Sequence, residues 1–332
     1  MVAYWHWSSL HYGQETYWKG ILSHDLEPNR VYAEMTQVAG ELKKMGPQLV
    51  NLTKQNQVAI LFSADSANAI SYMPFSDSVN YTTVLSQMHE ALYDLNVEPD
   101  FVPAGADLSP YKVVLVPPLY SASDEVLAQV AAYVQRGGQV VMAFKSGFTN
   151  EHSTVRDVMA PGPLRAAAGF HYQEFTSFAD PVRLTPDPYK LGDQNRASVW
   201  GEFIVPDTAE IVVSFDHPYW KFPAITRNRH GSGTLTYEGT VLSAALQREV
   251  IRDVLKRAGL PAIDQKLPEP VKVRHGRNAQ GKLLHYYLNF SGAQQSFPYP
   301  HGNGSDLLTG AAVRSAATVA LKPWDLAIVI EP

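Results

Sequence analysis

Cysteine is absent from this chain. That excludes disulfide cross-links, thiolate metal sites and thiol nucleophiles together, and it accords with a cytoplasmic protein. Long apolar runs are also missing. None approaches the ~20 residues that span a bilayer, so no membrane partner is expected. The opening residues lack the charged start and small-residue cleavage site of a signal peptide. Concentrated positive charge is missing too: the longest basic cluster is Lys43–Lys44 and the formal net charge is −5. Nucleic-acid binding needs a dense basic surface, so nucleic acid is excluded as the main partner. The eleven histidines contain no H-x-x-x-H pair and no cluster with carboxylates at ligand spacing. No metal and no other cofactor is expected.

What is present is an ordinary globular composition, 45% hydrophobic and 18% charged over 332 residues, long enough for two or three domains. The unusual stretch is "WHWSSLHYGQETYWKG", residues 5–20, which holds Trp5, Trp7, His11, Tyr12, Tyr17 and Trp18 around Glu15. Aromatic faces beside a carboxylate suit sugars: the C–H face of a pyranose packs on a ring while its hydroxyls seek polar groups. Core packing of the aromatics around a surface acid is the bland alternative.

Periodicity orders the rest. "MVAYWHW" reads as a strand and "GILSHD" as a second. "EPNRVYAEMTQVAGELKKMGP" reads as a helix with Pro28 in its first turn, stopped by Gly46–Pro47. From Gln55 onward, continuous apolar strands ("QVAILFS", "EPDFVPA", "YKVVLVPP", "QVVMAF") alternate with amphipathic helices ("YTTVLSQMHEALYDLN", "SDEVLAQVAAYVQRGG"). This predicts an α/β unit with a parallel sheet covered on both faces, a flavodoxin-like doubly wound domain. From about 165 to 240 the strands become short and mixed, and a helix over 243–259 ends the unit. After the proline-rich "LPAIDQKLPEP", the tail reads as a small antiparallel β-sandwich. "RHGSGTLTYEG" reads as a hairpin rather than a phosphate loop, and "GNGSDLLTG" as a turn. A doubly wound unit could suggest an amidotransferase, but that chemistry needs the missing cysteine.

The order "YWHWSSLHYGQETYWKGILSHDLEPNR" resembles the end of the catalytic barrel of the glycoside hydrolase family 42 β-galactosidases: an aromatic strand, a polar loop, G-x-E, then "YWKG" and "SHD". "FKSGFTNEHSTV" and "FPAITRNRHGSGTLTYEGT" are similar to segments of that family's trimerisation domain. The resemblance covers the whole chain. It implies the last two strands and last helix of a (β/α)8 barrel over 1–50, a trimerisation domain over 51–262 and a C-terminal β-sandwich over 268–332. It also implies retaining hydrolysis of terminal β-D-galactosides, Glu15 as the nucleophile, and a homotrimer.

The same resemblance makes Trp18 a substrate-stacking residue, with core packing as the alternative. It makes His24, beside Asp25 at the end of the eighth barrel strand, a sugar contact, with capping of the next helix as the alternative. Asp65 and Asn68 in "FSADSANA" become contacts at the barrel mouth; Asp65 stands where relatives are expected to carry Glu, and an ordinary βα turn is the alternative. A retaining glycosidase needs two carboxylates ~5–5.5 Å apart. The strand expected to carry the acid/base is not in this sequence, and Asn150–Glu151 reads as a surface loop. The expectation is therefore an N-terminally truncated form, inactive alone, or else a non-catalytic trimerisation and accessory module.

Overall fold

In a computed structural model of the chain, residues 3–261 and 263–332 are described. The chain forms two compact units, one of residues up to 54 together with Val273–Pro332, the other Gln55–Lys272.

In the first unit, α1 (Arg30–Leu49) starts at Asn29, whose side chain accepts from the Tyr32 N–H (3.1 Å). Pro28 thus precedes the cap instead of occupying the first turn. Nor does Gly46–Pro47 stop the helix, which runs on to Leu49. Pro47 lies so near the end that its missing N–H deprives only one carbonyl of the final turns. The expected strands at 1–7 and 20–25 are not formed over the described residues. Their pairing is reduced to one parallel bridge, Ser8–Leu22, because a lone two-stranded pair with no flanking strand is marginal.

The tail contributes a five-stranded sheet built of Val271–Arg277, Leu283–Asn289, Leu326–Ile330, Gly304–Asp306 and Ala312–Val313, and a separate pair, Gln295–Pro298 with Thr318–Leu321. The "GNGSDLLTG" segment is therefore strand as well as turn. Leu284, Ile328 and Ile330 pack with Met45 of α1. His285, Tyr287 and Val329 point to the opposite face, as the two-residue period of a strand requires.

The second unit is built on an eleven-stranded sheet. β1 (Val58–Phe62), β2 (Asp100–Pro103), β3 (Val113–Val116) and β4 (Gln139–Ala143) run parallel in the spatial order β2-β1-β3-β4, and Gly233–Glu238 adds a fifth parallel strand beside β4. α2 (Ala64–Tyr72), α3 (Tyr81–Asp94) and α4 (Asp124–Gln135) follow β1, the α2–α3 turn and β3 in sequence. Alternate residues of each parallel strand go to opposite faces. Val58, Ile60, Val113 and Leu115 pack with Met88 and Leu92 of α3 and with Ile251 and Leu255 of the helix Ala244–Arg257. Ala59, Leu61, Val114 and Val116 pack with Leu127, Val130 and Val134 of α4. Burial on both faces is why these strands read as unbroken apolar runs. Beyond Gly233–Glu238 the sheet continues through antiparallel strands, starting with the expected hairpin to Pro223–His230.

Candidate functional site

The aromatic segment is folded as a closed loop. At its base the Ile21 N–H donates to His6 O (3.0 Å), the Leu22 N–H to Trp7 O (2.9 Å) and the Ser9 N–H to Leu22 O (3.1 Å). Ser9 is buried; its hydroxyl donates to Leu22 O and accepts from the Gly20 N–H, each at 3.1 Å. A Cβ at position 20 would lie 2.4 Å from the Ser8 carbonyl carbon, so the two chain segments approach this closely only across a glycine.

Glu15 stands at the tip, where its carbonyl accepts from the Trp18 N–H (3.0 Å). Its side chain is exposed and makes no hydrogen bond or ion pair among the described residues. Trp18 is 52% exposed and its ring lies 5.2 Å from that of Tyr17. It is not core. His24 Nε2 lies 2.6 Å from Thr16 O, tying the far end of the loop to the residue after Glu15. The His24–Asp25 pair does not cap α1, a task that falls to Asn29; Asp25 instead accepts from the Glu27 N–H (3.1 Å). A cleft of about 270 Å³ lined by Ser9, Gly20, His24, Asn29 and Arg30 adjoins the loop base. Glu15 and Trp18 stand outside its wall.

In the second unit, Asp65 and Asn68 lie on α2, both exposed and three residues apart on one helical face. The segment is a helix rather than a βα turn. A buried set of hydroxyls fixes its first turn. Ser63 Oγ accepts from the Ser66 N–H (3.1 Å), Ser66 Oγ donates to Ser121 O (3.0 Å), and the Ser63 N–H donates to Tyr81 Oη (2.9 Å). Asn150 and Glu151 form a surface turn, in which Asn150 Oδ1 accepts from the His152 and Thr154 N–H groups (3.0 Å each).

One constellation had no sequence signal beyond a lysine after an apolar strand. Lys145 is buried, with Nζ 3.3 Å above the Phe148 ring centroid, 3.4 Å above Phe175 and 4.8 Å above Trp200. Its own N–H donates to Glu202 Oε1 (2.8 Å), and Tyr237 Oη donates to Glu202 Oε2 (2.8 Å). Burial lowers the Lys145 ammonium to about 8 and raises the Glu202 carboxyl. The main-chain bond from Lys145 to Glu202 ties the loop after β4 to the strand Arg196–Glu202.

Residues 56–261 match the model of the β-galactosidase trimerisation domain, and residues 1–45 match that of β-galactosidase. The chain belongs to glycoside hydrolase family 42. Within family 42, the β-galactosidase BgaA of Clostridium cellulovorans is 27% identical over 289 residues, which is 87% of this chain and 43% of that protein. The crystal structure of β-galactosidase from Bacillus circulans sp. alkalophilus superposes with a TM-score of 0.91 at 22% identity, over 99% of this chain and 49% of that one, a likeness of fold. The β-galactosidase of Halorubrum lacusprofundi superposes with a TM-score of 0.82 at 25% identity, over 98% and 47%. The chain thus spans less than half the length of the relatives it matches.

Proposed function

We propose that this chain is the C-terminal part of a family 42 enzyme that hydrolyses terminal β-D-galactosides with retention, with Glu15 as its nucleophile. The observation that carries this reading is the match of residues 1–45, the segment holding Glu15, to the β-galactosidase model. Trp18 would stack on the sugar ring, and His24, Asp65 and Asn68 would bind its hydroxyls. The strand order β2-β1-β3-β4, followed by a fifth parallel strand, supports a flavodoxin-like middle domain over 51–262. The parallel sense of the Ser8–Leu22 bridge supports a barrel remnant over 1–50. The sheet and strand pair of the tail support a β-sandwich over 268–332. The assembly proposed is a cytoplasmic homotrimer.

The 332-residue chain by itself is proposed to be without turnover. Glu15 is exposed at a loop tip and held by no side chain, whereas covalent catalysis needs the nucleophile fixed within reach of the anomeric carbon and a second carboxylate to protonate the leaving oxygen. The test is hydrolysis of a nitrophenyl β-galactoside by this chain and by a longer protein carrying it, each beside its Glu15→Gln variant. The expected result is no Glu15-dependent rate in the short chain and loss of nearly all rate in the long variant. Glu15-dependent turnover by the short chain would overturn the claim of inactivity. An unimpaired long variant would overturn the nucleophile assignment.

A further inference from the structure

Three histidines far apart in sequence converge in the tail. His275 comes from the strand Val271–Arg277, His285 from the neighbouring strand Leu283–Asn289, and His301 from the segment after Gln295–Pro298. Their ring nitrogens include one from each residue that all lie within 4.8 Å of one another. This is the one such group of three or more metal-ligating side chains among the described residues. His275 Nδ1 lies 2.7 Å from His285 Nδ1. The rings of His285 and His301 are parallel, 6° apart in plane and 4.0 Å between centroids. His285 is 4% exposed, the other two partly so.

Glu331 completes the set. Its Oε1 lies 3.5 Å from His285 Nε2 and accepts from Tyr299 Oη (3.0 Å). A carboxylate facing Nε2 favours the tautomer with the proton on that nitrogen, leaving the Nδ1 lone pair of His285 to aim at His275. This is the arrangement in which a carboxylate orients a metal-bound imidazole. Three neutral imidazoles with an adjacent carboxylate suit a divalent ion of borderline softness, and zinc in a tetrahedral site takes nitrogen at about 2.0–2.1 Å. Such an ion needs ligand nitrogens roughly 3.3 Å apart, between the shortest separation seen here and the 4.8 Å bound on the group. Bound there, the ion would link two strands and the 299–302 segment in a domain that has no cysteine to cross-link it.

We propose that His275, His285 and His301 form a structural site for Zn2+ or a like divalent transition ion, oriented by Glu331. The test uses the full chain without a polyhistidine tag, stripped of metal and titrated with Co2+ and Zn2+. One equivalent of Co2+ should give the intense visible bands of a four-coordinate ion, and Zn2+ should displace it. Glu331→Gln should weaken binding by about 10–100-fold, and His275→Gln and His301→Gln by more. In the unaltered chain with 15N-labelled histidine, three imidazoles should shift together on adding one equivalent of Zn2+, which reads the site without any substitution. Absence of one-equivalent binding, affinity unchanged in both histidine variants, or metal shifts in fewer than two of the three imidazoles would overturn the proposal.

Discussion

At the scale of the residue, two buried charges are set by burial itself. Glu238 is 1% exposed, with Oε1 accepting from Gln247 Nε2 (2.7 Å), and burial lifts its carboxyl to about 8. The folded-state value lies above the unfolded one of 4.5, so the folded chain holds a proton that the unfolded chain releases between those two pH values. Stability is therefore highest below pH 4.5 as far as this group is concerned, and it falls as pH rises to about 8. Glu238→Gln keeps an acceptor for Gln247 and removes the titration. The variant should match the parent at pH 5 and exceed it at pH 8 by roughly 2–4 kcal/mol, since each unit of displacement is worth about 1.4 kcal/mol. Equal gains in denaturant unfolding at both pH values would refute this.

Lys145 tests the converse. Lys145→Met keeps the apolar contacts with Phe148 and Phe175 but leaves the Glu202 carboxylate buried without its cation. The expected cost is about 1–3 kcal/mol, since Glu202 loses the nearby positive charge but keeps its bonds from the Lys145 main chain and Tyr237, and Lys145→Met with Glu202→Gln should recover much of it. A single variant that loses less than ~1 kcal/mol would show that Glu202 is already neutral in the folded chain. These residues were hard to read from sequence because neither charge has a local partner: 57 positions separate them, and only the sheet brings them together.

At the scale of the element, helix ends follow local chemistry. Ser63, Asn80, Ser123 and Ser243 each place a side-chain oxygen over the first free N–H groups of the helix that follows. Ser243 does more, since its hydroxyl also donates to Gln194 O (2.6 Å) while accepting from the Leu246 N–H (3.1 Å). Ser243→Ala should cost about 1–2 kcal/mol and lower the unfolding midpoint by a few degrees; a shift below about 1 °C would deny the cap its role. The loop base makes a sharper local test. Gly20→Ala should force residues 8 and 20 apart, and the amides of Ser9, Ile21 and Leu22 should lose hydrogen-exchange protection without a change in global stability. Unchanged protection would mean that the close approach to Ser8 is not needed.

The helices over 81–94 and 124–135 and the four leading strands were legible because their apolar period and their caps agree. The helix over 64–72 was not, for "ADSANAISY" buries only Ser66 and Ile70 and offers no apolar stripe to read. The strands expected at 1–7 and 20–25 were legible as β-prone sequence. Yet propensity alone forms no ladder, which needs neighbours on both sides.

At the scale of the whole molecule, several large aromatics of the first segment face solvent: Trp5 is 86% exposed, Trp7 64% and Tyr12 89%. Exposed apolar surface of this kind is typical of protein-interaction sites. Sedimentation equilibrium is expected to give a three-chain mass at micromolar concentration, in line with the proposed homotrimer, and a purely monomeric chain would refute that assembly.

By itself the sequence determined the alternation of parallel strands and helices, the points where most helices begin, and the family, because apolar period, capping residues and the G-x-E segment are all local patterns. Only the tertiary structure decided that the mixed strands of 165–240, apart from the pair Phe170–His171 with Val205–Pro206, extend one sheet, that Lys145 is buried beside Glu202, and that His275, His285 and His301 converge. Each of those depends on contacts between positions far apart in the chain, and such distances are fixed by packing, which no local spacing encodes.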